Sequence, residues 1–126
     1  MQDFFAGLAV GVIILQTAIF APTIFTTIEM APAGKLLRAL FPKFFRLLIV
    51  IGIATIISLI FSEDGNVLQY IFAGLTIIFP LICAVLVPIT NKATDAGDKA
   101  TFKRLHTISV VLTMIVLLAN IALPLV

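Results

Sequence analysis

The sequence predicts an all-α membrane protein with four transmembrane helices, and three observations carry that prediction. The 126-residue chain is 62% hydrophobic and 11% charged, whereas an ordinary soluble domain is about half apolar and about a quarter charged. Four stretches, 4–28, 47–62, 65–91 and 105–126, contain no Asp, Glu, Lys or Arg. All eight Lys and Arg lie in or beside two of the connections between those stretches, as expected when lipid separates two aqueous sides.

Each span follows from its own residues. A spanning helix needs roughly 20 apolar residues, within a range of about 17 to 25, and the first, third and fourth stretches meet this. The second is shorter, about 24 Å of helix at 1.5 Å per residue. Phe44 and Phe45 extend it, and Arg46 can snorkel to the headgroups. The expected spans are therefore about 4–28, 44–62, 66–89 and 104–125, in one domain over 1–126. Ala31-Pro32-Ala33 has the small-residue look of a signal-peptide cleavage site. However, the leading Met-Gln-Asp has no positive side chain, and the apolar run exceeds a typical signal core. The first stretch is expected to remain as a span.

Charge sorting predicts orientation. The first connection and its flank carry Lys35, Arg38, Lys43 and Arg46, and the third carries Lys92, Lys99, Lys103 and Arg104. The turn over 62–66 holds Glu63 and Asp64 and no cation. Cytoplasmic loops are rich in Lys and Arg. Connections 1 and 3 are therefore expected inside, with both termini and connection 2 outside, in an inner (plasma) membrane. In the first connection, Leu36, Leu37, Leu40 and Phe41 fall at helical spacing. This predicts a short amphipathic helix lying in the interface, with Lys35, Arg38, Lys43 and Arg46 toward lipid phosphates. The third connection reads as polar and flexible, with Asp98 or Thr101 capping the last helix. One cysteine excludes an internal disulfide and CxxC chemistry. A formal charge of +2 without a basic tail gives no sign of nucleic-acid binding.

Shifting the chain by 58 residues without gaps places Pro22 on Pro80, Phe44 on Phe102, Arg46 on Arg104, Leu47 on Leu105 and Thr55 on Thr113. Two repeated helical hairpins of the same orientation would be related by an axis along the membrane normal. Duplication and convergent hairpin chemistry both account for the matches.

Within the spans, Gln16, Thr17, Thr55, Thr76 and Thr113 are expected near mid-membrane. They form either interhelical contacts worth about 0.6 to 2 kcal/mol or a polar waist on a solute path. Pro22 and Pro80 cannot donate to the carbonyls of Ala18 and Thr76, so each is expected to kink its helix. Gly7 and Gly11 form a small-xxx-small step suited to close helix approach. Thr76, Pro80, Cys83 and Val87 share one face of the third span. His106, Ser109, Thr113 and Asn120 share one face of the fourth. Because polar groups avoid lipid, His106 is expected inside the bundle near its basic mouth, where it could meet Cys83. It is either a structural imidazole or a binding group.

The motif F-x-R-L-H-x-x-S-V, formed by Phe102, Arg104, Leu105, His106, Ser109 and Val110, resembles the last-helix signature of the transmembrane-protein-205 family. The APTIF segment at 21–25 resembles that family too, as does Gly34-Lys35 followed by Phe41-Pro42 and Phe44-Phe45. The resemblance covers nearly the whole chain and implies a four-helix membrane protein. Some eukaryotic members are linked to resistance to metal-containing drugs, which implies traffic of thiophilic species. Many members carry Asn seven residues after the His, where this chain has Thr113. The positions the resemblance marks are Phe102, Arg104, His106 and Ser109.

No intramembrane carboxylate, His pair or nucleophile with a neighbouring base supports catalysis, so the expected protein is not an enzyme. A catalytic zinc site needs three protein ligands, and His106 with Cys83 supplies two. Haem or metal is expected only if shared between chains. Two readings remain: handling of a small solute or thiophilic metal species through the bundle, or an accessory, assembly or haem- or quinone-binding subunit of a homo-oligomer or larger membrane complex. The candidate binding residues are His106, Ser109, Thr113, Cys83, Gln16, Phe102 and Arg104.

Overall fold

The computed structural model describes all 126 residues and contains helices and turns only. The first membrane helix is composite. It comprises α1 (Gln2–Ile14), a π-helical segment (Leu15–Phe20) and α2 (Ala21–Thr27). Then come α3 (Met30–Phe61), α4 (Val67–Asp95) and α5 (Lys99–Ala122), closed by a 3-10 turn (Leu123–Leu125). These make four helices long and apolar enough to cross a membrane, over Gln2–Thr27, Met30–Phe61, Val67–Asp95 and Lys99–Leu125. Each packs on its chain neighbours, and α1 returns to touch α5, so the four close into an up-down ring. An apolar core of Ala9, Ile13, Phe44, Phe45, Leu48, Ile51, Cys83 and Val116 lies at its centre.

The π segment answers the proline problem in the first span. In α geometry the Pro22 ring would meet the carbonyl of Ala18 and leave it without a donor. The helix widens just before that residue, and the Ala21 N–H donates to the Gln16 carbonyl five residues back, the π pattern. Pro22 then opens α2 at a position that tolerates proline. By contrast, α4 stays helical through Pro80 and Pro88 and α3 through Pro42.

The expected separate interfacial helix in the first connection is not present. Residues 30–43 are helical, but they are continuous with the second span in a 32-residue helix. Part of their apolar side finds protein, with Leu37 buried and Leu40 and Phe41 half-buried, while Leu36 stays exposed. Ala33 and Leu37 on α3 and Ala93 on α4 are buried, and Arg38 donates from Nη1 and Nη2 to both carboxylate oxygens of Asp95, at 3.2 and 2.5 Å. Helices of 32 and 29 residues are about 48 and 44 Å long, more than the roughly 30 Å hydrocarbon core. Both therefore project on the basic side, tied by that pair.

The third connection shrinks correspondingly. Thr90 to Asp95 continue α4, leaving Ala96–Asp98 as the turn. Gly97 takes φ +70, a left-handed conformation that glycine adopts without a Cβ clash. The Asp98 N–H reaches back to the Ala93 carbonyl at 2.9 Å. Asp98 is the cap of α5, accepting from the Thr101 amide and hydroxyl at 3.1 and 2.7 Å. At the opposite end, Asn66 and Gln69 form a reciprocal capping box that starts α4.

The two hairpins share an orientation, but the gap-free 58-residue register does not hold across them. That shift carries the first turn, Ile28–Glu29, onto 86–87, inside α4, whereas the second turn is Ala96–Asp98. Thr55 lies six residues before Phe61, while Thr113 lies twelve before Leu125, a depth difference of about 9 Å. Pro22 is exposed and Pro80 buried. The Gly7–Gly11 step also faces outward, with nothing within 4 Å of either Cβ position. Close approach instead occurs at Gly52, whose Cβ position is 2.8 Å from Ile77 Cγ1.

Candidate functional site

Six polar side chains are buried: Gln16, Thr55, Gln69, Thr76, Thr113 and Asn120. Thr55, Thr76 and Thr113 each donate to the carbonyl four residues earlier, on Ile51, Phe72 and Ser109, at 2.8 to 2.9 Å. A hydroxyl in a membrane helix has this local acceptor always at hand. Asn120 Nδ2 crosses from α5 to α4, donating to Thr76 Oγ1 at 2.8 Å and to the Val116 carbonyl at 2.8 Å. Gln69 Nε2 donates to the Leu123 carbonyl at 3.3 Å. Asn120 and Gln69 thus link separate elements, the threonine hydroxyls bond within their own helices, and the six residues spread over depth. Thr17 is exposed and bonds the Ile13 carbonyl.

On α4, Thr76, Pro80 and Cys83 are buried and Val87 half-buried, the face expected from their spacing. Cys83 is 1% exposed, and its thiol donates to the Ser109 carbonyl at 3.8 Å. Ser109 is half-buried and Thr113 buried.

His106 departs from expectation. It is exposed, and its imidazole stacks on Phe102, rings 5.6 Å apart and 9° from parallel. The physical reason lies in the first helix. His106 shares its face with Thr113, but within the first helix only α1, which ends at Ile14, packs on α5, and the π segment and α2 make no comparable contact with it. No residue of α2 is buried. That face of α5 is therefore uncovered where His106 stands, and the imidazole does not share a centre with Cys83. Phe102 is 38% exposed, and Arg104 is exposed.

Of the four cations assigned to lipid phosphates, Lys35, Lys43 and Arg46 are exposed, while Arg38 is committed to Asp95. The Arg38 guanidinium, by its hydrogen bonds, holds the Asp95 carboxyl below its usual value and is itself raised. Asp98 is held low by Thr101, first through its hydroxyl and then its amide. Gln16 is the remaining candidate. It is 4% exposed, its Nε2 has no partner, and it lines a cleft between the first helix and α3.

Sequence reasoning missed Gly52, the Asn66–Gln69 box and the Arg38–Asp95 pair. The box had a signal, an Asn with Gln three residues on before an apolar run. The ion pair had none, since it spans 57 residues.

One family model, described as a domain of unknown function (DUF4149), matches residues 4–99. That stretch takes in the first three membrane helices and stops before the Phe102–Val110 motif. No curated protein and no solved structure matches the chain.

Proposed function

The chain belongs to the DUF4149 family, and from that premise we propose that it is a non-enzymatic accessory subunit, packing as a four-helix unit within a homo-oligomer or a larger inner-membrane assembly. The observation that carries this reading is that most of the buried polar layer is already bonded within the protein. Every buried threonine hydroxyl has an acceptor on its own helix, and Asn120 Nδ2 donates to Thr76 and Val116. Hydroxyls so occupied offer no replacement hydration shell to a passing solute, and the Asn120–Thr76 bond ties α5 to α4. The cytoplasmic side is taken as the basic one, with both termini and the Glu63–Asp64 turn outside, because all eight cations lie at the other end.

A second reading, handling of a small solute or thiophilic metal in the manner implied by the transmembrane-protein-205 resemblance, is favoured by two buried atoms without partners, Gln16 Nε2 and Asn120 Oδ1. Purified protein in liposomes separates the two. The accessory reading expects no flux of thallium or silver ions above protein-free vesicles, together with a native-membrane species heavier than one chain. Saturable flux that His106→Ala or Cys83→Ala abolishes would establish the second reading in its place.

A further inference from the structure

Between the first helix and α3 lies a cleft of about 230 Å³. Apolar side chains, among them Phe20, Leu40, Phe44 and Leu47, line most of it, and two polar ones join them, Gln16 and Lys43. We propose that this cleft holds one anionic glycerophospholipid from the leaflet on the basic side. Its phosphate would lie on the Lys43 ammonium, and a glycerol ester carbonyl would accept from Gln16 Nε2 once the amide turns that buried atom toward the cleft. The proposal goes beyond the accessory-subunit reading and does not depend on it.

Four observations converge. Gln16 Nε2 is a donor with neither a partner nor accessible surface of its own, on a residue that lines the cleft; in a membrane interior such a donor is costly unless an acceptor reaches it. The residue also belongs to the π-helical segment, and π-bulges recur at functional sites. Lys43 is exposed and in no ion pair, since the single ion pair of the protein is Arg38–Asp95. Lys35 and Arg46 on the same helix are likewise exposed and unpaired, which favours a headgroup with net negative charge.

The fourth observation is depth. Gln2 and Phe61 line one cleft at the acidic end, so they are level there. Gln16 is fourteen residues beyond Gln2 and Lys43 eighteen before Phe61, which places them about 21 and 27 Å from that end. The ammonium therefore sits near the far edge of a roughly 30 Å core, with the amide about 6 Å deeper. A phospholipid presents its phosphate at the interface and its ester carbonyls one step below, in that order. A fatty acid carries its only acceptor at one level. A metal ion finds no thiolate, imidazole or carboxylate in the lining.

Native mass spectrometry of the full chain in mild detergent, titrated with phosphatidylglycerol, phosphatidylcholine, oleate and soluble glycerophosphate, tests this. The expected result is one phosphatidylglycerol retained per chain in preference to phosphatidylcholine, displaced by neither oleate nor glycerophosphate. Gln16→Leu should weaken retention roughly 5-fold, the worth of one hydrogen bond, while leaving lipid-free thermal stability equal or higher. Lys43→Gln should erase the preference between the two phospholipids. Leu47→Trp, at a rim position 45% exposed, should block retention without touching the core, and it carries the test should Gln16→Leu fail to fold. Equal retention by wild type, Gln16→Leu and Leu47→Trp would overturn the proposal. So would displacement by oleate or glycerophosphate, or equal binding of both phospholipids by the wild type.

Discussion

Substituting Gly52 by alanine tests the close packing of α3 on α4. The added methyl would stand 2.8 Å from Ile77 Cγ1, 3.1 Å from the Thr76 carbonyl carbon and 3.2 Å from the Ile77 nitrogen. Ile77 can adjust its side chain, but the two backbone atoms can move only if the helices separate. Overpacking of this kind costs about 1–3 kcal/mol, and backbone contacts argue for the upper half of that range. Alanine also favours a helix over glycine by about 1 kcal/mol, which offsets part of the loss. Gly74→Ala removes that ambiguity, because Gly74 lies inside α4 with nothing within 4 Å of its Cβ position. The propensity gain is common to both, so Gly52→Ala should be about 2–3 kcal/mol less stable than Gly74→Ala. Equilibrium unfolding in mixed micelles, followed by circular dichroism, measures the difference. If the two variants unfold together, the close approach at Gly52 is wrong.

Four further outcomes follow from the same geometry. Asn120→Ala should cost about 1–3 kcal/mol by opening a cavity and removing the α4–α5 hydrogen bond, whereas Asn120→Leu, which fills that cavity, should fall within about 1 kcal/mol of wild type; the same unfolding assay reads both. His106→Ala should leave stability within about 0.5 kcal/mol, since the imidazole is exposed on Phe102, and a larger loss would mean that it is buried in the working protein. Asp95 has its pKa lowered by Arg38, so the stability it contributes is present above the ordinary carboxylate pKa and lost as pH falls through the lower folded value. Thermal melts from neutral pH downward should therefore show a smaller acid loss in Asp95→Asn than in wild type, with the difference fading at high salt. A cysteine placed at Asn66 should react with an impermeant maleimide from outside the cell, and labelling from the cytoplasm alone would reverse the orientation.

The four spans were legible because lipid imposes a length and a composition that few other environments tolerate. The buried face of α4 and the Asp98 cap were legible because spacing and local hydrogen bonding determine them. Long-range relations were not. Nothing local shows that Arg38 meets Asp95, so a stripe partly covered by protein through Leu37 looked like one lying wholly on lipid. His106 lies on the same helical face as Thr113, and periodicity alone assigned both to the interior. Whether that face is covered depends on the first helix, whose π segment and α2 make little contact with α5. Gly7–Gly11 and Gly52 show the same limit: a small residue permits close approach, and only the neighbouring helix decides whether it occurs.

The central claim is that the bundle interior is closed packing, and the native Cys83 reports on it without any substitution. Its thiol is 1% exposed and directed to the Ser109 carbonyl, beside Thr113. The measurement is the rate at which Cys83 in intact membranes reacts with a small, charged, water-soluble methanethiosulfonate, relative to the same protein unfolded in detergent. Closed packing predicts no reaction in the membrane and complete reaction on unfolding. Rapid modification from the aqueous phase, slowed by a permeant metal ion, would show a water-filled path through the polar layer and contradict the account.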